Sequence, residues 1–122
     1  MQKILIVDDE ENIRKVIREY LEFEGFLCFE ASNGEEAISC CKESSYDLVV
    51  LDIMMPKMDG YMITREIRTL KNNKKANIPI VAMTANAFDE DRRKALECGM
   101  DGFLSKPIII EELIDTLQKN LD

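Results

Sequence analysis

Short apolar runs recur along the chain at Ile4–Val7, Leu27–Ala31, Leu48–Leu51, Ile80–Met83 and Phe103–Leu104, each followed by a segment that can form a helix. Three of them are continuously apolar, only four residues long, and rich in Val, Ile and Leu. That pattern predicts strands covered on both faces, as in a parallel sheet, rather than pieces of buried helix.

Helical spacing is clearest after the first run, where Ile13, Val16, Ile17, Tyr20 and Leu21 form one stripe and Gly25 supplies a stop. Ile110, Leu113, Ile114, Leu117 and Leu121 repeat the pattern at the end of the chain. Ala37, Ile38 and Cys41 mark a shorter helix opening after the turn-prone Asn33-Gly34 pair, and Ile63, Ile67 and Leu70 mark another. Between Phe88 and Cys98 the stripe thins to Phe88, Ala95 and Leu96 around six consecutive charged residues. This segment is expected to be the most weakly anchored helix. Lys71–Asn77, ahead of Ile78-Pro79, reads as a polar loop between a helix and the next strand.

Strand–helix alternation repeated five times predicts an α/β fold with a parallel sheet and helices on both faces. Right-handed crossovers then carry the connections after each strand to one edge of the sheet, where ligands of such sheets bind. No composition shift, repeat or low-complexity tract divides residues 1–122, so one domain is expected.

Composition narrows the function. A net charge of −8 argues against direct nucleic-acid binding, which draws its affinity from Lys and Arg on phosphates. No run approaches the roughly 18 apolar residues of a membrane span. The first strand-like run starts almost at Met1 and leaves no room for a signal peptide, so a cytoplasmic location is expected. The four cysteines form no C-x-x-C pair and there is no histidine, which removes zinc-site spacings and leaves reduced packing cysteines as the reading.

The residues that end the runs carry the chemistry. Ile4–Val7 is followed by Asp8, Asp9 and Glu10, Leu48–Leu51 by Asp52, Ile80–Met83 by Thr84, and Phe103-Leu104-Ser105 by Lys106-Pro107. Any one of these could simply cap the next helix. Together, on one sheet edge, they make a coherent set. Gathered carboxylates raise one another's pKa unless a cation intervenes, and oxygen ligands without His or Cys suit Mg²⁺. A carboxylate can attack phosphorus to give an acyl phosphate, and Lys106 and Thr84 can stabilise the phosphoryl oxygens.

The stretches ILIVDDEE, LVVLDIMMPKMDG, IVAMTANA and GFLSKPI, in this order over nearly the whole chain, resemble the two-component response-regulator receiver domains of the CheY-like family. The resemblance implies a single doubly wound (βα)5 domain over residues 1–122, flavodoxin-like, with a five-stranded sheet of order 2-1-3-4-5. It implies Asp52 as phosphoacceptor, and Mg²⁺ (or Mn²⁺) held by Asp9, Asp52 and the Met54 backbone carbonyl, with Asp8 acting through water. Thr84 and Lys106 resemble the pair that grips the phosphoryl group, Phe103 the switch aromatic, and Lys106-Pro107 a cis peptide. Phe103 could instead be plain packing, Pro56 and Gly60 could only shape a turn, and Glu10 could be only a first-turn helix residue. Met54 and Asn86 flank the site where family members vary.

Partners implied are a sensor histidine kinase or histidine phosphotransfer protein as donor and an output domain or target protein downstream, with no nucleic acid and no membrane contacted directly. A phosphorylation-dependent dimer through the face of the fourth helix, fifth strand and last helix of the five-fold repeat (the 4-5-5 face) is also implied. The chain is thus expected to be a regulatory phosphoacceptor that catalyses only its own phosphorylation and dephosphorylation. Phosphohydrolases of the haloacid dehalogenase group carry a second Asp two residues after the nucleophile, where Met54 stands. A pseudo-receiver lacks the acidic and Thr/Lys set, and a flavodoxin-type flavin carrier needs a Ser/Thr/Gly-rich loop after the first strand.

Overall fold

The computed structural model describes residues 1–85 and 89–121. Its elements run β1 (Lys3–Val7), α1 (Glu11–Phe23), β2 (Leu27–Ala31), α2 (Gly34–Glu43), β3 (Leu48–Asp52), α3 (Gly60–Arg68), α4 (Asn73–Ala76), β4 (Ile80–Thr84), α5 (Asp89–Cys98), β5 (Gly102–Ser105) and α6 (Ile110–Asn120). All strand pairs are parallel, in the order β2-β1-β3-β4-β5.

The strand pleat explains the continuous apolar runs. Ile4, Ile6, Leu48, Val50, Val81 and Met83 point to one face and pack with Ile17 and Leu21 of α1 and Leu113 and Leu117 of α6. Leu5, Val7, Val49, Leu51, Ile80 and Ala82 point to the other, against Ala37 and Cys41 of α2, Ile63 and Ile67 of α3, and Ala95 of α5. Each such Leu or Ile side chain, fully buried, contributes roughly 1.5–3 kcal/mol.

From β1 the chain steps to β2 on one side and then crosses back to β3 on the other. The crossovers diverge there and open a crevice beyond the carboxyl ends of β1 and β3. Two turns shape that edge. Asn33 Oδ1 accepts the Glu36 N–H (2.9 Å) to start α2, while Glu36 Oε1 reaches back to the Ser32 N–H (3.2 Å). Gly60 opens α3, where a Cβ would lie 2.6 Å from Ile53 Cγ2 and 2.7 Å from Ile53 Cα, so glycine alone lets the helix begin this close to β3.

The stripes are narrower than their spacing suggests. In α1, Ile17 and Leu21 are buried but Val16 and Tyr20 are exposed. At about 100° per residue, Val16 and Tyr20 stand one step around from that line, beyond the contact with the sheet. α1 stops where Gly25 takes φ +95 and the Phe26 N–H returns to the Leu21 carbonyl (3.0 Å).

The stretch read as a loop, Lys71–Asn77, contains the single turn α4. Asn72 Oδ1 accepts the N–H groups of Lys74 (3.0 Å) and Lys75 (3.1 Å), and Ala76 is buried beneath it. A four-residue turn leaves no periodicity to read, so only its cap residue signals it.

In α5, Ala95 is buried but Leu96 is 65% exposed, and Phe88 lies outside the described residues. Cations do part of the anchoring instead. The Arg92 guanidinium lies 5.0 Å from the centre of the Phe103 ring and the Lys94 ammonium 4.6 Å from that of Tyr61. Among the described residues, no helix is long and apolar enough to cross a membrane.

Candidate functional site

Asp8 follows β1 and is fully buried, a costly position for a carboxylate unless every polar atom is matched. Its N–H donates to the Ala31 carbonyl (3.2 Å) and its Oδ1 accepts the Glu10 N–H (2.9 Å), which turns the chain into α1. Its Oδ2 pairs with Lys106 Nζ at 3.0 Å. Asp9 and Glu10 are exposed, and one carboxylate oxygen from each of Asp8, Asp9 and Glu10 lies within 4.8 Å of the others.

Asp52 is the last residue of β3 and 2% exposed. Its Oδ1 accepts the Met54 N–H (3.0 Å), and Lys106 Nζ stands 3.5 Å from Oδ2. Burial pushes the Asp52 carboxyl above its usual range; the Met54 N–H opposes the shift and the Asp8 charge adds to it. For Lys106, burial favours the neutral amine, but the Asp8 and Asp52 carboxylates outweigh it and hold the pKa above the ordinary value.

Lys106 is placed by the sheet. Thr84 pairs in register with Ser105, the Lys106 N–H donates to the Thr84 carbonyl (2.8 Å), and the Lys106–Pro107 bond is cis. Thr84, the last residue of β4, is buried, on the strand beside the one that ends in Asp52. Phe103 is half-buried one strand further out, packed against the core of the α2–α3–α5 face.

The structure therefore brings Asp8, Asp52 and Lys106 into direct ion-pair contact, with Asp9 beside Asp8. Glu10 joins the close carboxylate group, whereas Asp52 approaches it through Lys106. Glu10 sits at the N-cap of α1, one residue ahead of the first turn, and its side chain makes no capping bond. The Met54 side chain is exposed, and Asn86 lies outside the described residues. The chemistry available is a desolvated carboxylate next to a fixed ammonium and a cluster of hard oxygen ligands that suits a divalent cation.

Sequence reasoning missed Arg14, whose Nη1 donates to the Asp8 carbonyl (2.6 Å) and whose Nε pairs with Glu30 (3.0 Å). The available signal was Glu30 itself, an acid within the otherwise apolar strand LCFEA, where such residues are depleted.

The sequence profile described as the response regulator receiver domain matches residues 4–118. The transcriptional regulatory protein ResD of Bacillus subtilis is 44% identical over 92% of this chain, which spans 45% of ResD. The sensor histidine kinase RcsC of Salmonella typhi is 39% identical over 93% of this chain, which spans 12% of RcsC. The chain thus covers less than half the length of these relatives. Among solved structures, the chemotaxis protein CheY4 of Vibrio cholerae superposes with a TM-score of 0.91 at 30% identity, covering 99% of both chains. The receiver domain of the sensor histidine kinase PA1611 from Pseudomonas aeruginosa, which has a magnesium ion coordinated in its active-site cleft, gives 0.87 at 36% identity, covering 97% of this chain and 95% of that one. With its five-stranded order 2-1-3-4-5 and acidic crevice, the chain belongs to the response regulator receiver domains, the regulatory domains of two-component signalling.

Proposed function

We propose that residues 1–122 form one cytoplasmic receiver domain that takes a phosphoryl group onto Asp52 from the phosphohistidine of a sensor kinase or phosphotransfer protein. The observation that carries this reading is Lys106 Nζ set between Asp8 Oδ2 (3.0 Å) and Asp52 Oδ2 (3.5 Å) in a buried crevice. An Asp52 oxygen attacks phosphorus, the phosphorus–nitrogen bond to the donor imidazole breaks, and an aspartyl phosphate remains. Lys106 offsets the charge on the phosphoryl oxygens, and the Thr84 hydroxyl donates to one of them.

Asp8, Asp9 and Asp52, with the Met54 carbonyl, are the residues that would hold Mg²⁺ or Mn²⁺. The close carboxylate oxygens of Asp8 and Asp9, and the buried Asp52 carboxyl beside them, suit such an ion. When bound, it supplies positive charge to the phosphoryl oxygens. Hydrolysis of the aspartyl phosphate resets the domain, and Met54 in place of a second acid argues against a dedicated phosphohydrolase.

The signal is a population shift. Thr84 moves toward the phosphoryl group and Phe103 rotates inward, repacking the face of α5, β5 and α6, through which an output domain, a target or a second receiver binds. Arg92 over the Phe103 ring couples α5 to that rotation. The test is intact mass after incubation with a small phosphodonor and Mg²⁺. One phosphate gained by the wild type and none by Asp52→Asn is expected. No gain, or an equal gain in the variant, overturns the Asp52 assignment.

A further inference from the structure

The β1–β2 ladder ends at the pair Val7–Ala31, and the Asp8 carbonyl beyond it accepts its hydrogen bond from Arg14. We propose that Arg14 is a positioning residue. It holds the Asp8–Asp9–Glu10 turn in the form that binds a divalent cation, and Glu30 holds Arg14. The proposal rests on the reading of Asp8 and Asp9, within that turn, as residues that would hold the metal.

All four polar groups of Asp8 are fixed from outside: the N–H by Ala31, the carbonyl by Arg14, Oδ1 by the Glu10 N–H and Oδ2 by Lys106. The backbone partners and Lys106 belong to the sheet and the helix entry. Among the described residues, Arg14 is the one long, jointed side chain that clamps the backbone of the turn. Its Nη1–Asp8 carbonyl distance is 2.6 Å and its side chain is 13% exposed. A cation in the opening of a helix opposes the helix dipole, so the placement of Arg14 needs a compensating partner. Glu30 on the edge strand β2 supplies it, with Oε1 3.0 Å from Arg14 Nε.

Arg18 provides the internal control. Its Nη1 takes the other oxygen of the same carboxylate, Glu30 Oε2, at 2.9 Å, and its Nε reaches Glu22 at 3.3 Å. The two arginines keep the Glu30 carboxyl below its usual range, Arg18 most strongly. Both pair with Glu30, but only Arg14 continues to Asp8. The bridge also needs a guanidinium, because one side chain must donate from Nε to Glu30 and from Nη1 to Asp8. A lysine keeps the charge and loses the bridge.

Residues one step removed from a metal ligand typically change metal affinity by about 10- to 100-fold. The test uses the full chain, with Mn²⁺ alone as the calorimetric probe and amide exchange at Asp9 and Glu10 read without metal. Arg14→Met and Arg14→Lys are each expected to weaken Mn²⁺ binding about tenfold and to speed exchange at the Glu10 amide, which bonds Asp8 Oδ1. Arg18→Met is expected to lower the urea midpoint while leaving Mn²⁺ affinity and Glu10 exchange unchanged. Wild-type affinity and exchange in both Arg14 variants overturn the proposal. So does an equal loss in Arg18→Met, which reduces the effect to general stability. If the wild-type chain binds no Mn²⁺, the metal reading fails by itself. Faster Glu10 exchange in the Arg14 variants still shows that Arg14 holds the turn, and unchanged exchange overturns that too.

Discussion

Lys106 Nζ lies 3.0 Å from Asp8 Oδ2 and 3.5 Å from Asp52 Oδ2, so the ammonium is shared unequally and stands closer to the carboxylate that is not the proposed acceptor. Asp52 thus keeps the weaker hold on the cation. Its carboxylate is restrained mainly by the Met54 N–H.

Removing that cation leaves the buried Asp8 carboxylate uncompensated. Lys106→Met is expected to cost about 3 kcal/mol in metal-free urea denaturation, the scale for breaking a buried ion pair from one side. Mg²⁺ should restore part of the loss, while the phosphorylated fraction in the intact-mass assay falls. An unchanged metal-free midpoint would show that Asp8 does not depend on Lys106.

Asp52→Asn should act in the opposite direction on stability. Burial raises the folded-state pKa of Asp52, so the folded chain binds more protons than the unfolded one between the ordinary carboxylate value and the raised one. Wild-type stability from this group is therefore full in acid and falls as pH rises through that window. Asparagine cannot ionise. The variant is expected to melt a few degrees above wild type at neutral pH without metal, with the gap closing in acid and shrinking when Mg²⁺ is added. A variant that melts lower at neutral pH contradicts this account.

Far from the crevice, Arg68 ties the amino-terminal edge of the sheet together. It donates to the carbonyls of Gly99 (Nη2, 2.6 Å), Ala76 (Nη1, 2.9 Å) and Ile78 (Nη1, 2.7 Å), and it pairs with Asp101 (3.0 Å), which also accepts the Ile80 N–H (3.0 Å). Arg68→Ala strands several of these acceptors and is expected to cost roughly 3 kcal/mol, with Arg68→Lys recovering only part. Mn²⁺ affinity should stay at the wild-type value in both. A tenfold loss of affinity would contradict the separation of the two edges.

The cysteines divide by burial. The Cys28 and Cys41 thiols are both pushed up to about 11, chiefly by burial, while Cys40 and Cys98 are only half-buried. A thiol in that state offers almost no thiolate near neutral pH. Alkylation of native protein at mildly basic pH, followed by peptide mass spectrometry, should modify Cys40 and Cys98 first. Cys28 and Cys41 should react at rates set by unfolding. Early labelling of Cys28 would show that β2 opens locally.

Strand positions were legible because burial on both faces writes itself into consecutive residues, as in ILIV and LVVL. The strand-end acids, Thr84 and Lys106 were legible because right-handed crossovers send those ends to one edge whatever the strand order. The order itself came from resemblance, since strand–helix alternation admits several. Helix faces were only partly legible. Spacing marks which residues share a stripe, but how much of it the sheet covers, as with Val16 and Tyr20, depends on where the helix docks.

Sequence alone therefore determined the alternation of strands and helices and the kind of chemistry at one edge. Tertiary structure decided which groups meet. Lys106 reaches Asp8 across 98 positions of chain, and Arg14 reaches Glu30 across 16. The physical reason is that periodicity reports only the local environment of neighbours in the chain. Partnership between distant side chains is set by strand register and helix docking, which exist only once the sheet has formed.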